Sequence, residues 1–128
     1  MFFGKEVRVV LKGQGKTAYL ELKKRNDKEA RVILNSFNRI KEILKGNPQY
    51  GDPIAKDLIP DQFKSMGVRN LYRVELSNYW RALYTIEGNT IEIFLFVLSI
   101  VDHKEYNKLF RYKSKFIVKK EKGILAFG

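Results

Sequence analysis

Cysteine is absent from this 128-residue chain. That excludes disulfides, thiolate metal sites and a cysteine nucleophile. Histidine occurs once, as His103. With the carboxylates scattered, no cluster has metal-site spacing, so neither a metal nor a cofactor is expected. Long apolar runs are missing too. The longest, Ile93–Leu98, falls far short of the roughly 20 residues that cross a bilayer. The opening MFFGKEVRVV lacks the extended apolar core of a secretory signal. A soluble, cytoplasmic protein without a membrane partner is expected. Negative charge is scarce: 25 Lys and Arg stand against 14 Asp and Glu, giving a net +11 and a pI near 9.8. Such a surface suits a polyanion, with nucleic acid first, an acidic protein second and anionic lipid third. Abundant Lys and Glu also suit high growth temperature, but that leaves the imbalance unexplained.

What is present is an ordinary apolar fraction with many aromatics, enough for one core in one domain spanning residues 1–128. The organising stretch is Asn70 to Phe110, NLYRVELSNYWRALYTIEGNTIEIFLFVLSIVDHKEYNKLF. Tyr72–Leu76 and Trp80–Ile86 alternate with strand period, and Ile91–Val101 is a longer β-branched and aromatic run. Parity decides the first turn. Val74 and Leu76 share a face with Trp80 and Ala82 only if the loop between the strands is odd. Three residues, Ser77-Asn78-Tyr79, then pair Leu76 with Trp80, Glu75 with Arg81 and Arg73 with Leu83. Gly88-Asn89 reads as a two-residue hairpin turn, pairing Ile86 with Ile91, Tyr84 with Ile93 and Ala82 with Leu95. The meander then has an apolar face (Val74, Trp80, Ala82, Tyr84, Ile91, Ile93, Leu95) and a mixed face. The mixed face carries Arg73, Glu75, Arg81, Leu83, Thr85 and Phe94, with two guanidiniums close together.

Around it, residues 5–11 predict an edge strand broken by Gly13 and Gly15. A helix is predicted over 16–25 with Ala18, Tyr19 and Leu22 inward. A second helix is predicted from Asn26-Asp27, where Asn26 and Glu29 have capping-box spacing, through Ile33, Phe37, Ile40 and Leu44 to a stop at Gly46 and Pro48. Residues 49–70 are the least regular part, with short helices predicted after Asp52-Pro53 and Pro60-Asp61. Beyond Val101 the chain is polar, anchored by Tyr106, Leu109 and Phe110. From Lys104 to Lys122 eight basic residues face two glutamates, a net +6 and more than half of the excess. The basic tail is residues 111–128, in which Phe116, Ile117 and Val118 have the composition of a short strand. The expected class is α+β: a small twisted, mainly antiparallel sheet of four to five strands with two N-terminal helices on one face.

The segments YRVEL (72–76), YWRALYTI (79–86), EGNTIEIFLFVLSI (87–100) and DHKEYNKLF (102–110), in that order behind a strand and two helices, resemble the RelE/ParE toxin superfamily. The His-Lys-x-Tyr of the closing motif is most similar to the HigB-type branch. The resemblance implies a type II toxin with an acidic antitoxin partner, and a metal-independent endoribonuclease acting on mRNA at the ribosome, with its site on the sheet face opposite the helices. It also implies roles. Arg81 matches the family arginine that stabilises phosphate charge. Arg73 stands where RelE has a lysine. Glu75 departs from a second, proton-handling lysine. His103 and Tyr106 fall at the closing-motif positions.

The chemistry suits those residue types. Cleavage by the RNA's own 2′-hydroxyl needs a base, an acid and cations for the extra phosphate charge. Arg73 and Arg81 offer forked cations, His103 and Glu75 are the proton-handling candidates, and Tyr106 can stack on a base or donate to phosphate. Lys104, Lys108, Arg111, Lys113 and Lys115 are candidate RNA contacts. Other readings stay open. Arg81 with Glu75 also fits a plain cross-strand ion pair, and His103 and Tyr106 fit structural roles. As a whole, the chain also fits a non-catalytic RNA- or protein-binding module, or a ParE-type gyrase poison.

Overall fold

The computed structural model describes residues 2–89 and 91–110. Its elements are β1 (Glu6–Leu11), α1 (Gly13–Lys24), α2 (Lys28–Gly46), β2 (Asp52–Pro53), a one-turn helix α3 (Asp61–Lys64), β3 (Tyr72–Glu75), β4 (Arg81–Gly88) and β5 (Glu92–Val101). A last helix, α4, runs over residues 103–110. The sheet order is β1-β5-β4-β3-β2. β1 is parallel to β5 and the other pairings are antiparallel. This is the expected α+β architecture, with a five-stranded sheet.

The first hairpin has the register that parity requires. Glu75 faces Arg81 and Arg73 faces Leu83, and Leu76 N donates to Trp80 O at 2.8 Å across a turn over Ser77–Tyr79. The second hairpin does not. Ile86 faces Leu95 and Tyr84 faces Val97, because the turn closes two residues later, between Asn89 and Glu92. Asn89 N donates to Glu92 O at 2.9 Å, and the Asn89 side-chain oxygen accepts from Ile91 N at 2.8 Å and Glu92 N at 2.7 Å. This side-chain capture of turn amides outweighs the glycine-asparagine preference. The displacement is even, so the faces survive, but Ile91 lies exposed at the turn instead of in the core.

A bulge adds a consequence. Leu83 faces Ser99 while Tyr84 faces Val97, so Leu98 is the extra residue. Beyond it the alternation of β5 reverses. Val101 then lies opposite Arg81, and the chain leaves the sheet on the arginine side.

Helices α1 and α2 cover the apolar face, where Ala18, Leu22, Ile33, Phe37, Ile40 and Leu44 pack on Val74, Ala82, Tyr84, Leu95 and Ile100. Gly13 and Gly15, expected to break the chain, open α1 instead. Gly15 is placed there by a close approach, since a Cβ on it would lie 2.5 Å from Val97 O. Gln14 exchanges two hydrogen bonds with the Ile100 backbone, at 2.9 and 3.2 Å. It substitutes for β1, which ends opposite Val97. The α2 cap is Asp27, accepting from Ala30 N at 3.1 Å, and not Asn26. Asp52-Pro53 itself is an edge strand, a position proline tolerates, and the short helix expected from it is a single 3₁₀ turn at Lys56–Leu58. The second helix of this region is shorter than expected and ends in a turn at Gly67, where φ is +86°.

The opposite face is not bare. Ile59, Phe63, Leu71, Leu83 and Leu98 form a second small core, joined by Tyr106, Leu109 and Phe110 of α4. Among the described residues, no helix is long and apolar enough to cross a membrane. The expected strand at 116–118 lies outside the described residues.

Tyr84 ties the frame to β2. It is fully buried, stacks on Tyr72 at 5.3 Å, donates to Pro48 O at 2.6 Å and accepts from Gly51 N at 3.0 Å. A side chain at Gly51 would start 2.8 Å from that hydroxyl. Tyr84→Phe strands two buried backbone groups and is expected to cost about 1–3 kcal/mol, read by chemical denaturation. Burial pushes the Tyr84 phenol from 10.0 up to about 12, against the opposing Gly51 amide bond. The folded chain therefore keeps a proton that the unfolded chain releases. This stabilisation is complete below pH 10 and is lost as pH rises towards 12. The alkaline stability loss of the native chain, measured against Tyr84→Phe, checks the sign.

Candidate functional site

The mixed face gathers Arg73, Glu75, Arg81, His103 and Tyr106 in one cluster. Two strands and one helix place them. Cross-strand pairing of β3 and β4 sets Glu75 beside Arg81. The Leu98 bulge turns the end of β5 to the same side, and Asp102 then starts α4 by accepting from Glu105 N at 2.9 Å. His103 sits in the first turn of α4 and Tyr106 one turn further on.

Tyr106 lies under both arginines. Arg73 Nη1 donates to its hydroxyl at 3.1 Å, and the Arg81 guanidinium lies 4.6 Å from its ring centre, a cation–π distance. Phe110 backs the ring at 4.7 Å. Glu75 bridges the pair, accepting from Arg81 Nε at 3.3 Å and lying 3.6 Å from Arg73 Nε. Asp52 of β2 accepts from Arg73 Nη2 at 3.2 Å. The Tyr106 hydroxyl pushes the Arg73 guanidinium above its ordinary value; burial opposes this, and Asp52 and Glu75 add to it. Arg73 therefore stays charged.

These charges nearly cancel, since two guanidiniums face two carboxylates. The carboxylates are more than half exposed, and exposed pairs are worth only about 0–1 kcal/mol each. Arg73 Nε is buried and has no hydrogen-bond partner, Glu75 being too distant. The cluster can thus exchange carboxylate for another oxyanion at little cost, with one donor already unspent.

His103 completes the group. Its Nδ1 lies 3.3 Å from Arg81 Nη1, and its Nε2 lies 3.2 Å from the Asn107 amide. A guanidinium only donates, so Nδ1 must accept and the neutral ring carries its proton on Nε2. With Nε2 protonated, the Asn107 amide, which faces it through Nδ2, must turn over to accept through its oxygen. The ring of Tyr79 meets His103 edge-on at 6.3 Å.

Asn107, Asp52 and Tyr79 were not singled out from the sequence. Asn107 had a signal: it lies four residues after His103, one helical turn, and Asp102 followed by Glu105 has capping-box spacing. Lys104 and Lys108 are exposed on α4, Lys108 lying 3.6 Å from Glu105. Arg111, Lys113 and Lys115 lie outside the described residues. Two open clefts flank Arg73, one walled by Ile40, Tyr50 and Val74, the other by Pro53, Ile54, Leu58 and Phe110.

Sheet order and paired helices give the chain the fold of a YoeB/ParE toxin. Among solved structures the chain is similar to the YoeB/ParE toxin from Agrobacterium tumefaciens, with a TM-score of 0.54 and 15% identity over 75% of this chain and 98% of that one. No protein-family model matches the sequence, and no curated protein does. At that identity the likeness is one of fold.

Having one histidine makes the His103 geometry directly measurable. A long-range ¹H–¹⁵N spectrum at a pH where the ring is neutral is expected to show the Nε2-protonated form. Asn107→Ala should leave that form dominant and Arg81→Ala should mix the two, whereas a dominant Nδ1-protonated ring would contradict the Arg81 contact.

Proposed function

We propose that the chain is the toxin of a toxin–antitoxin pair and cleaves mRNA at the ribosome without a metal. The observation that carries this reading is the convergence of Arg73, Arg81, Glu75, His103 and Tyr106 on one sheet face, linked by distances of 3.1–3.6 Å. The fold it shares with the YoeB/ParE toxin supports it, as does the net charge of +11.

In this reading an RNA phosphate replaces the Glu75 carboxylate between the guanidiniums. Charge-assisted, forked hydrogen bonds to phosphate are stronger than the long contacts Glu75 makes. The carboxylate, released beside the phosphate, takes the proton of the 2′-hydroxyl. That oxygen attacks phosphorus and the 5′-oxygen leaves. Once Arg81 turns from His103 Nδ1 to the phosphate, the ring takes up a second proton from solvent and donates it to the leaving oxygen, ending neutral. Arg73 and Arg81 hold the charge that builds on the phosphoryl oxygens. Tyr106 keeps the two cations together through its hydroxyl and its ring. Lys104 and Lys108, exposed beside the cluster, extend the basic surface along the RNA. A small acidic antitoxin is the expected protein partner, matching the basic surface.

Induced expression is expected to arrest growth and translation with cleavage of mRNA. Arg81→Ala should lower cleavage about 100-fold or more and abolish the arrest. Normal growth with intact mRNA contradicts the reading, and DNA damage without translation arrest redirects it to a gyrase poison.

A further inference from the structure

The turn over Ser77–Tyr79 is the most strained described segment near the cluster. Asn78 and Tyr79 both have positive φ, +58° and +63°. Asparagine tolerates that region, but for a bulky residue such as tyrosine it is unfavourable. The turn is nevertheless held firmly, since Ser77 N donates to the buried Ser36 Oγ at 3.1 Å and Leu76 N to Trp80 O at 2.8 Å. The outcome is that Tyr79 is held out in solvent at 75% exposure while its neighbour Trp80 packs against the core. Its carbonyl lies 3.5 Å from Arg81 Nη1 and its ring edge-on to His103. A strained, exposed aromatic beside the phosphate-competent cations has no packing task that accounts for it.

Tyr106 cannot take a base in the way its residue type suggests. One ring face is covered by Arg81, Phe110 packs against the ring, and the hydroxyl is engaged by Arg73. The open aromatic surface beside the cluster belongs to Tyr79.

We propose that Tyr79 is the nucleobase platform of this site, stacking on the unpaired base next to the phosphate bound by Arg73 and Arg81. The inference rests on the RNA-cleaving reading above and specifies its ligand as single-stranded RNA with at least one unstacked base. Backbone contacts from the arginines and stacking by Tyr79 then divide the binding, and stacking tolerates every base.

The test uses the full chain and a ³²P-labelled, 2′-O-methylated tetranucleotide, which lacks the attacking hydroxyl. A matched set carries an abasic site at each position in turn. Tyr79→Ala is expected to weaken binding of the complete ligand about 5- to 150-fold. One abasic position should abolish the difference between variant and native chain, as coupling between two partners requires. Tyr79→Phe should bind like the native chain. Tyr79→Asn, which suits a positive φ, should lose binding while melting at the same temperature or higher. Equal binding by Tyr79→Ala, or the same loss with every abasic ligand, overturns the platform and leaves the nuclease reading standing. So does a Tyr79→Asn chain that melts lower and binds less in step, since that makes Tyr79 a structural residue. A native chain that binds none of the ligands also overturns the platform, and the nuclease reading falls with it if ribosome-bound mRNA stays intact as well.

Discussion

The odd length of one turn governs this molecule. Three residues separate the Leu76 and Trp80 pair, and side chains alternate along each strand. That places Arg73, Glu75 and Arg81 on one side of the sheet and Val74, Trp80 and Ala82 on the other. A slip of one residue would send Arg81 into the core under α1 and α2. Burying an unpaired guanidinium there is prohibitive, so the core itself enforces the register. The functional face is thereby specified by the apolar one.

The rest of the frame delivers groups to that face without depending on their charges. The buried Tyr84 hydroxyl fixes residues 48–51 and so sets β2 with Asp52 beside Arg73. Gln14 holds the end of β5 at Ile100, just before His103 enters. The second core under α4 fixes Tyr106. The ion pairs within the cluster are partly exposed and long, worth little in stability. A rigid apolar and hydrogen-bonded scaffold therefore carries weakly committed charges. That division suits the proposed site, in which the cations would exchange a carboxylate for a phosphate.

Much of this is legible from residue order. Alternation in residues 72–86 reveals two strands, their odd turn and the shared face of the arginines, because period and parity are local properties. The helical spacing of Ile33, Phe37, Ile40 and Leu44 reveals α2 for the same reason. What stays hidden depends on contacts distant in sequence. The Leu98 bulge leaves no clear mark in the largely apolar strand Glu92–Val101, yet it decides which side α4 reaches. The later closure of the second hairpin rests on one Asn89 side chain capturing two amides. The second core brings residues 54–68 and 106–110 together over Leu71, Leu83 and Leu98, and the separate patterns of the two segments are too short to predict their meeting. Arg73, Arg81, Glu75, His103 and Tyr106 can be named beforehand. Their partners Asp52 and Asn107 emerge only when β2 and α4 are in place.

The central claim is that this face handles a phosphodiester by way of the RNA's own 2′-hydroxyl. The most direct measurement is the chemistry of the cut ends, made with the purified chain on mRNA bound to ribosomes. If the account holds, the upstream fragment ends in a 2′,3′-cyclic phosphate or its hydrolysis product, the downstream fragment begins with a 5′-hydroxyl, and a single 2′-deoxy substitution at the cut blocks cleavage. Fragments beginning with a 5′-phosphate, or unimpeded cleavage of the deoxy-substituted strand, would contradict it.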